Sequence, residues 1–162
     1  MLFRVSNNFK AAISSKCRSY QLDTQQLIDA TSGSLSLLEC LRKVGCQFVR
    51  LLQDPEAIAI FRVIIAEAVN SPHVATLFYQ AGPEASLSTL SDVIEKFGEG
   101  SLSRDIAQQL AVDYCALLKG EYHTMMLCGI QSPLQDEAIT AHVNSAAEKI
   151  LLLFTHYTQQ HN

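Results

Sequence analysis

The chain has 162 residues, 48% of them apolar and 17% charged, with a formal net charge of −4. That length suits one domain with a buried core, and high apolar content with low net charge excludes disorder. The longest unbroken apolar runs, residues 57–61 and 150–154, are far shorter than the ~20 residues a membrane span needs, and four Pro and seven Gly are too few for many tight hairpins.

Charge is unevenly distributed. Of the 12 basic side chains, Arg4, Lys10, Lys16 and Arg18 fall in residues 1–22 without an acid, and the others share residues 23–162 with all 16 acidic ones. A body this acidic repels a phosphate backbone, so only the amino end suits an anionic partner. Cys17, Cys40, Cys46, Cys115 and Cys128 are odd in number and form no CxxC pair. With no secretory signal visible, they read as reduced, mostly buried thiols of a cytosolic protein. Residues 1–20 are basic, contain Ser and lack acids, so on composition alone they also match a mitochondrial transit peptide.

Helical periodicity dominates, and no segment sustains period-2 alternation. Residues 2–18 place Leu2, Val5, Phe9, Ala12 and Ile13 on one stripe. Residues 21–34 are largely polar and end in a loop whose Ser34 is a possible N-cap. A helix is expected over 35–52, where Leu37, Leu38, Leu41, Val44, Phe48, Leu51 and Leu52 recur at three- and four-residue steps. Asp54-Pro55, Ser71-Pro72 and Ser132-Pro133 each read as a polar cap followed by Pro in the first helical position, where no N–H is needed. Apolar residues surround nearly the whole of 56–70, which predicts a helix in the middle of the domain.

A long helical segment follows from Pro72 towards Phe97. Gly82-Pro83 interrupts it, either ending one helix and starting another or merely kinking it. Gly98-Glu99-Gly100 is a stop. Ser103 opens the next helix, with Ile106, Leu110, Tyr114, Leu117, Leu118, Tyr122 and Met125 on one face, and a last helix covers about 136–157. The expected fold is all-α, with six or seven helices in one domain.

Chemistry-bearing motifs are absent. His73, His123, His142, His156 and His161 form no HxxxH, HExxH or ExxH, so neither a metal site nor a cofactor is expected. His142 reads as a satisfied core or interface imidazole. No GxSxG occurs, and Gly98-Glu99-Gly100-Ser101-Leu102 is a turn rather than a phosphate loop, since it lacks a preceding strand and a GK[ST] ending. No enzyme is expected. Phe48, Phe61, Phe78, Tyr79, Tyr114 and Tyr122 come from four successive helices and serve either as core or as walls of a cavity. Periodicity does not separate these two.

Several landmarks in residues 51–83 keep a recognisable order: Pro55-Glu56-Ala57, Arg62 with Ala66-Glu67-Ala68, Ser71-Pro72, and Phe78-Tyr79 followed by Gly82-Pro83. The stretch resembles the C-terminal regulatory domain of TetR/AcrR-type transcriptional repressors, in the AefR-like branch. The turn at 98–100 and the two helices after it also fit. In that family a helix-turn-helix head is followed by a connecting helix, often beginning near a Leu-Phe pair, and Leu2-Phe3 stands at the start here. By this resemblance residues 1–20 are the connecting helix and 21–162 a ligand-sensing and dimerisation domain. Basic residues suit a helix next to a DNA-binding head. DNA contact is then expected only through a head missing from this chain.

The resemblance implies a cytoplasmic homodimer in which the last two long helices pair with their symmetry mates as a four-helix bundle. The expected interface residues are Leu110, Leu117, Val143, Ala146, Ala147, Ile150 and Phe154, with intramolecular core as the other role open to them. It also implies a small hydrophobic effector that changes the operator affinity of the parent protein. Helix faces put Phe48, Phe61, Ile65, Leu90, Tyr114 and Leu118 on the pocket wall. Arg62 and Glu67, five apart, do not stack as neighbours and are expected to be structural. A stand-alone helical adaptor that dimerises without sensing a ligand is the competing reading.

Overall fold

The structure, a computed structural model, describes residues 35–159 and, ahead of them, only Ala11 and Ser15. The expected helix over 2–18, the boundary at residue 20 and the cap at Ser34 lie outside the described residues. Among those residues there are six helices and no strand, which is the expected all-α class.

Local chemistry sets most helix ends. Helix α1 (Leu37–Leu52) opens with a reciprocal capping box: the Glu39 amide donates to the Ser36 hydroxyl oxygen at 3.3 Å, and the Ser36 amide donates to the Glu39 carboxylate at 2.8 Å. Those Ser36 hydrogen bonds hold the Glu39 carboxyl below the usual carboxylate range. Helix α2 (Pro55–Glu67) is capped by Asp54, which accepts from the Glu56 and Ala57 amides at 2.9 and 3.2 Å. Ser71 makes no side-chain cap bond to α3 (Pro72–Ala81), so Pro72 alone marks that start. Gly82 adopts φ −130, ψ −78 between α3 and α4 (Pro83–Phe97), so Gly-Pro separates two helices. The 98–100 turn stops α4 with Glu99 and Gly100 at positive φ.

Helix α5 (Arg104–Leu127) starts at a Ser103 cap, and α6 (Asp136–Gln159) begins three residues beyond Pro133. Ser132-Pro133 therefore does not open a helix. The Gln53 side chain explains this: it donates to the Leu134 carbonyl at 3.2 Å and accepts from the Leu134 amide at 3.0 Å, which pins that residue in a loop against the end of α1.

Helices α1 and α6 pack on each other, α4 lies along α5, and α5 contacts α6. The core between them includes Leu41, Val49, Ile94, Leu110, Tyr114, Leu118, Val143 and Ile150, all essentially inaccessible. Gly45 permits this approach. A Cβ there would lie 2.7 Å from Val143 Cγ1 and closer still to the Tyr114 hydroxyl. Ion pairs between Arg42 and Glu148, Arg50 and Asp136, and Arg104 with Asp92 and Glu95 link the same helices at the surface. Being exposed, they add little stability.

Helix α2 departs from expectation. It buries only Ala57, Ile58 and Ile64, while Ile65 is 62% exposed. Its contacts are with α1, α3 and α5 along one side, so it is an edge helix rather than a central one. Apolar residues around a helix permit burial on every face, but they do not supply neighbours there. The cysteines also divide: Cys40 is buried, Cys46 and Cys115 are half-buried and Cys128 is exposed, all as free thiols, and Cys17 lies outside the described residues.

Candidate ligand site

A cavity of about 120 Å³ lies where α1 to α5 converge. Phe48, Leu51 and Leu52 enter from one face of α1; Ala57, Ile60 and Phe61 from α2; Phe78 from α3; Pro83, Ser86 and Leu87 from α4; and Cys115 and Lys119, one turn apart, from α5. Local sequence aims these groups: the Gly82-Pro83 break turns α4 back towards α1, so Phe78 and Leu87 come to the same space. The Phe61 ring meets Phe78 edge to face at 5.0 Å, and the His123 ring at 5.3 Å.

The wall is apolar with few polar groups. Burial pushes the Cys115 thiol up to about 11, so it is protonated and inert at neutral pH. Lys119 is the charged group on the wall. Such a surface takes up a hydrophobic molecule by removing its apolar area from water, at roughly 25 cal/mol per Å². Size then limits the occupant. A dry cavity of ~150 Å³ accommodates benzene, whereas drug-sized ligands occupy about 300–1,000 Å³. A larger guest has to displace a wall side chain.

Of the six residues expected on a pocket wall, Phe48 and Phe61 line this cavity. The other four expected wall residues lie elsewhere. Tyr114 and Leu118 are core residues, Leu90 is a buried residue of α4 packed in the core, and Ile65 faces outward. On α5 the wall is offset by one position, Cys115 rather than Tyr114, a rotation of about 100° that periodicity does not resolve. Leu51, Leu52 and Phe78 were visible candidates by spacing or aromatic character. Ser86, Leu87 and Lys119 carried no such signal.

Leu110, Val143, Ala146, Ala147 and Ile150, expected at a dimer interface, are buried within the protomer, and Leu117 and Phe154 are half-buried against its core. The five buried ones hold α1, α5 and α6 together, while Leu117 and Phe154 keep part of their surface exposed. Outward positions include Val112 and Ala116 on α5, and Ala138, Ala141, Ser145, Glu148, Lys149 and Leu152 on α6.

Arg62 donates to the Leu127 and Met126 carbonyls, both at 2.9 Å, and closes the end of α5, while Glu67 is exposed. The structural role expected for Arg62 is thus explicit. His142 Nε2 hydrogen-bonds the Leu118 carbonyl at 2.9 Å, beside Gly120, whose φ of 52 and ψ of −172 break the helical course of α5. Buried His123 was not singled out by any spacing. Burial, and secondarily the charge of Lys119, push its pKa down. Among the described residues no group of three or more His, Cys, Asp or Glu is placed to hold a metal ion, and no helix is long and apolar enough to cross a membrane.

No curated protein matches the chain. The solved structure of the flavonoid-responsive regulator FrrA aligns with a TM-score of 0.70 at 25% identity, covering 90% of this chain and 72% of that one. The family model for the C-terminal domain of AefR-like transcriptional repressors matches residues 39–156, more than half of the chain. The chain therefore belongs to the AefR-like branch of TetR-type transcriptional regulators, a family of regulators rather than enzymes, and carries its C-terminal domain.

Proposed function

We propose that this chain is the effector-binding and dimerisation part of a cytoplasmic TetR-like repressor, with a small hydrophobic molecule as effector. The apolar cavity between α1 and α5 carries this reading, because it lies inside the domain that the family uses for regulation. FrrA is named for its response to flavonoids, and a ring-bearing effector suits walls made by Phe48, Phe61 and Phe78. Operator contact belongs to an amino-terminal head of the parent repressor. The effector acts by binding one arrangement of the helices better than another, which shifts the spacing of two heads against half-sites about one DNA turn apart.

Dimerisation through the outward faces of α5 and α6 fits a C2 contact, since Ala138, Ala141 and Ser145 allow close approach. Two-dimensional NMR of the chain with benzene and indole tests the sensor assignment. Shifts confined to residues around Phe48, Phe78 and Cys115, abolished by filling the cavity with Leu87→Trp, are expected. No binding by either probe would leave the adaptor reading in its place.

A further inference from the structure

His123 is only 5% exposed, and its Nε2 is buried without a hydrogen-bond partner. The neighbouring Tyr122 hydroxyl is in the same condition, with the two rings 6.4 Å apart. Native proteins rarely leave such atoms unsatisfied, because each forfeits its hydration without compensation. One residue separates His123 from the cavity. The Phe61 ring lines the cavity and also packs edge to face on the His123 imidazole.

We propose that His123 determines specificity in this cavity: a ring-shaped effector displaces Phe61 and sets a hydroxyl group against the buried imidazole. The inference rests on the cavity being the effector site. Its size favours the displacement, because about 120 Å³ is less than the ~150 Å³ of a dry cavity that holds benzene. Phe61 is the wall ring that packs on the imidazole carrying the unsatisfied atom. The imidazole is neutral at neutral pH because burial disfavours its charged form. A neutral imidazole has one nitrogen that accepts and one that donates, so it pairs with a neutral hydroxyl in either direction. The ligand class is therefore a hydroxylated aromatic ring rather than a plain hydrocarbon.

Phenol and benzene are the probe pair, titrated into the full 162-residue chain and followed by NMR. A cavity without a polar partner prefers benzene, since burying an unpaired hydroxyl is unfavourable. Here phenol is expected to bind on the order of fivefold more tightly than benzene. The His123 ring nitrogen signals should move much further with phenol, through the hydrogen bond, than with benzene, which shifts them only by displacing the Phe61 ring. In His123→Phe the preference should invert, and His123→Gln should restore part of it. If both probes bind, benzene the tighter, with the His123 nitrogens moving no further with phenol than with benzene in the wild-type chain, the role of His123 is overturned and the cavity assignment stands. If neither probe binds, the cavity assignment itself is overturned and this inference with it. The nitrogen readout uses the unmodified chain, so the result does not depend on a variant that folds.

Discussion

The Tyr114 hydroxyl donates a 2.6 Å hydrogen bond to the main-chain carbonyl of Leu41, joining α5 to α1 in the centre of the core. Gly45, one turn further along α1, leaves the space the phenol ring needs. Burial drives the pKa of this hydroxyl strongly upward, so it stays protonated, as a donor, at neutral pH. Tyr114→Phe removes one buried hydrogen bond and should lower stability by about 1 kcal/mol. Gly45→Ala forces Tyr114 and Val143 apart and should cost more, about 1–3 kcal/mol. Urea unfolding of the two variants checks the order, and an equal or milder effect of Gly45→Ala would contradict the close approach.

The surface available to a second copy predicts a contrast between two neighbours on α6. Leu152 is 72% exposed, and Ile150 is completely buried. If α6 forms the dimer contact, Leu152→Glu should yield a folded monomer in sedimentation velocity. Ile150→Glu should unfold the protomer instead, because it leaves a charge in the core. A Leu152→Glu chain that remains a dimer moves the contact to another face.

Thiol reactivity reports on closure of the cavity. Cys128 is exposed, whereas the Cys115 thiol is desolvated and pushed up to about 11. At pH 8 only about one Cys115 in a thousand is thiolate. Iodoacetamide labelling followed by mass spectrometry should modify Cys128 first and Cys115 much more slowly. Equal rates at the two positions would mean that the space beside Cys115 is open to solvent.

Stability should also respond to mild acid. The folded state depresses the His123 pKa through burial, with Lys119 adding to it. Below the ordinary histidine value of about 6.5, the unfolded chain therefore binds a proton that the folded chain refuses. The associated stability is complete above that value and is lost as pH falls towards the folded pKa. Urea midpoints at pH 7.5 and 5.5 should thus differ in the wild-type chain, and His123→Gln should flatten the difference. An unchanged slope in that variant would place the sensitivity elsewhere.

Helix existence and most helix ends were legible in the sequence because their causes are local. Asp54-Pro55 and Gly82-Pro83 act within a few residues, through caps and missing donors, wherever the chain goes next. The start of α1 was misplaced by two residues: the sequence pointed to Ser34 as the cap, whereas Ser36 and Glu39 form the box and the helix opens at Leu37. The loop at Ser132-Pro133 was different, since Gln53, remote in sequence, holds Leu134 there. The orientation of each helix about its axis was likewise a tertiary decision. One position separates Tyr114 in the core from Cys115 on the cavity wall, and two separate buried Ile150 from exposed Leu152. An apolar stripe states that some face will be buried, but it carries no identity for its neighbour. Whether Val143 meets Gly45 of its own chain or a residue of a second copy depends on which helix approaches, and that is decided by the simultaneous packing of all six.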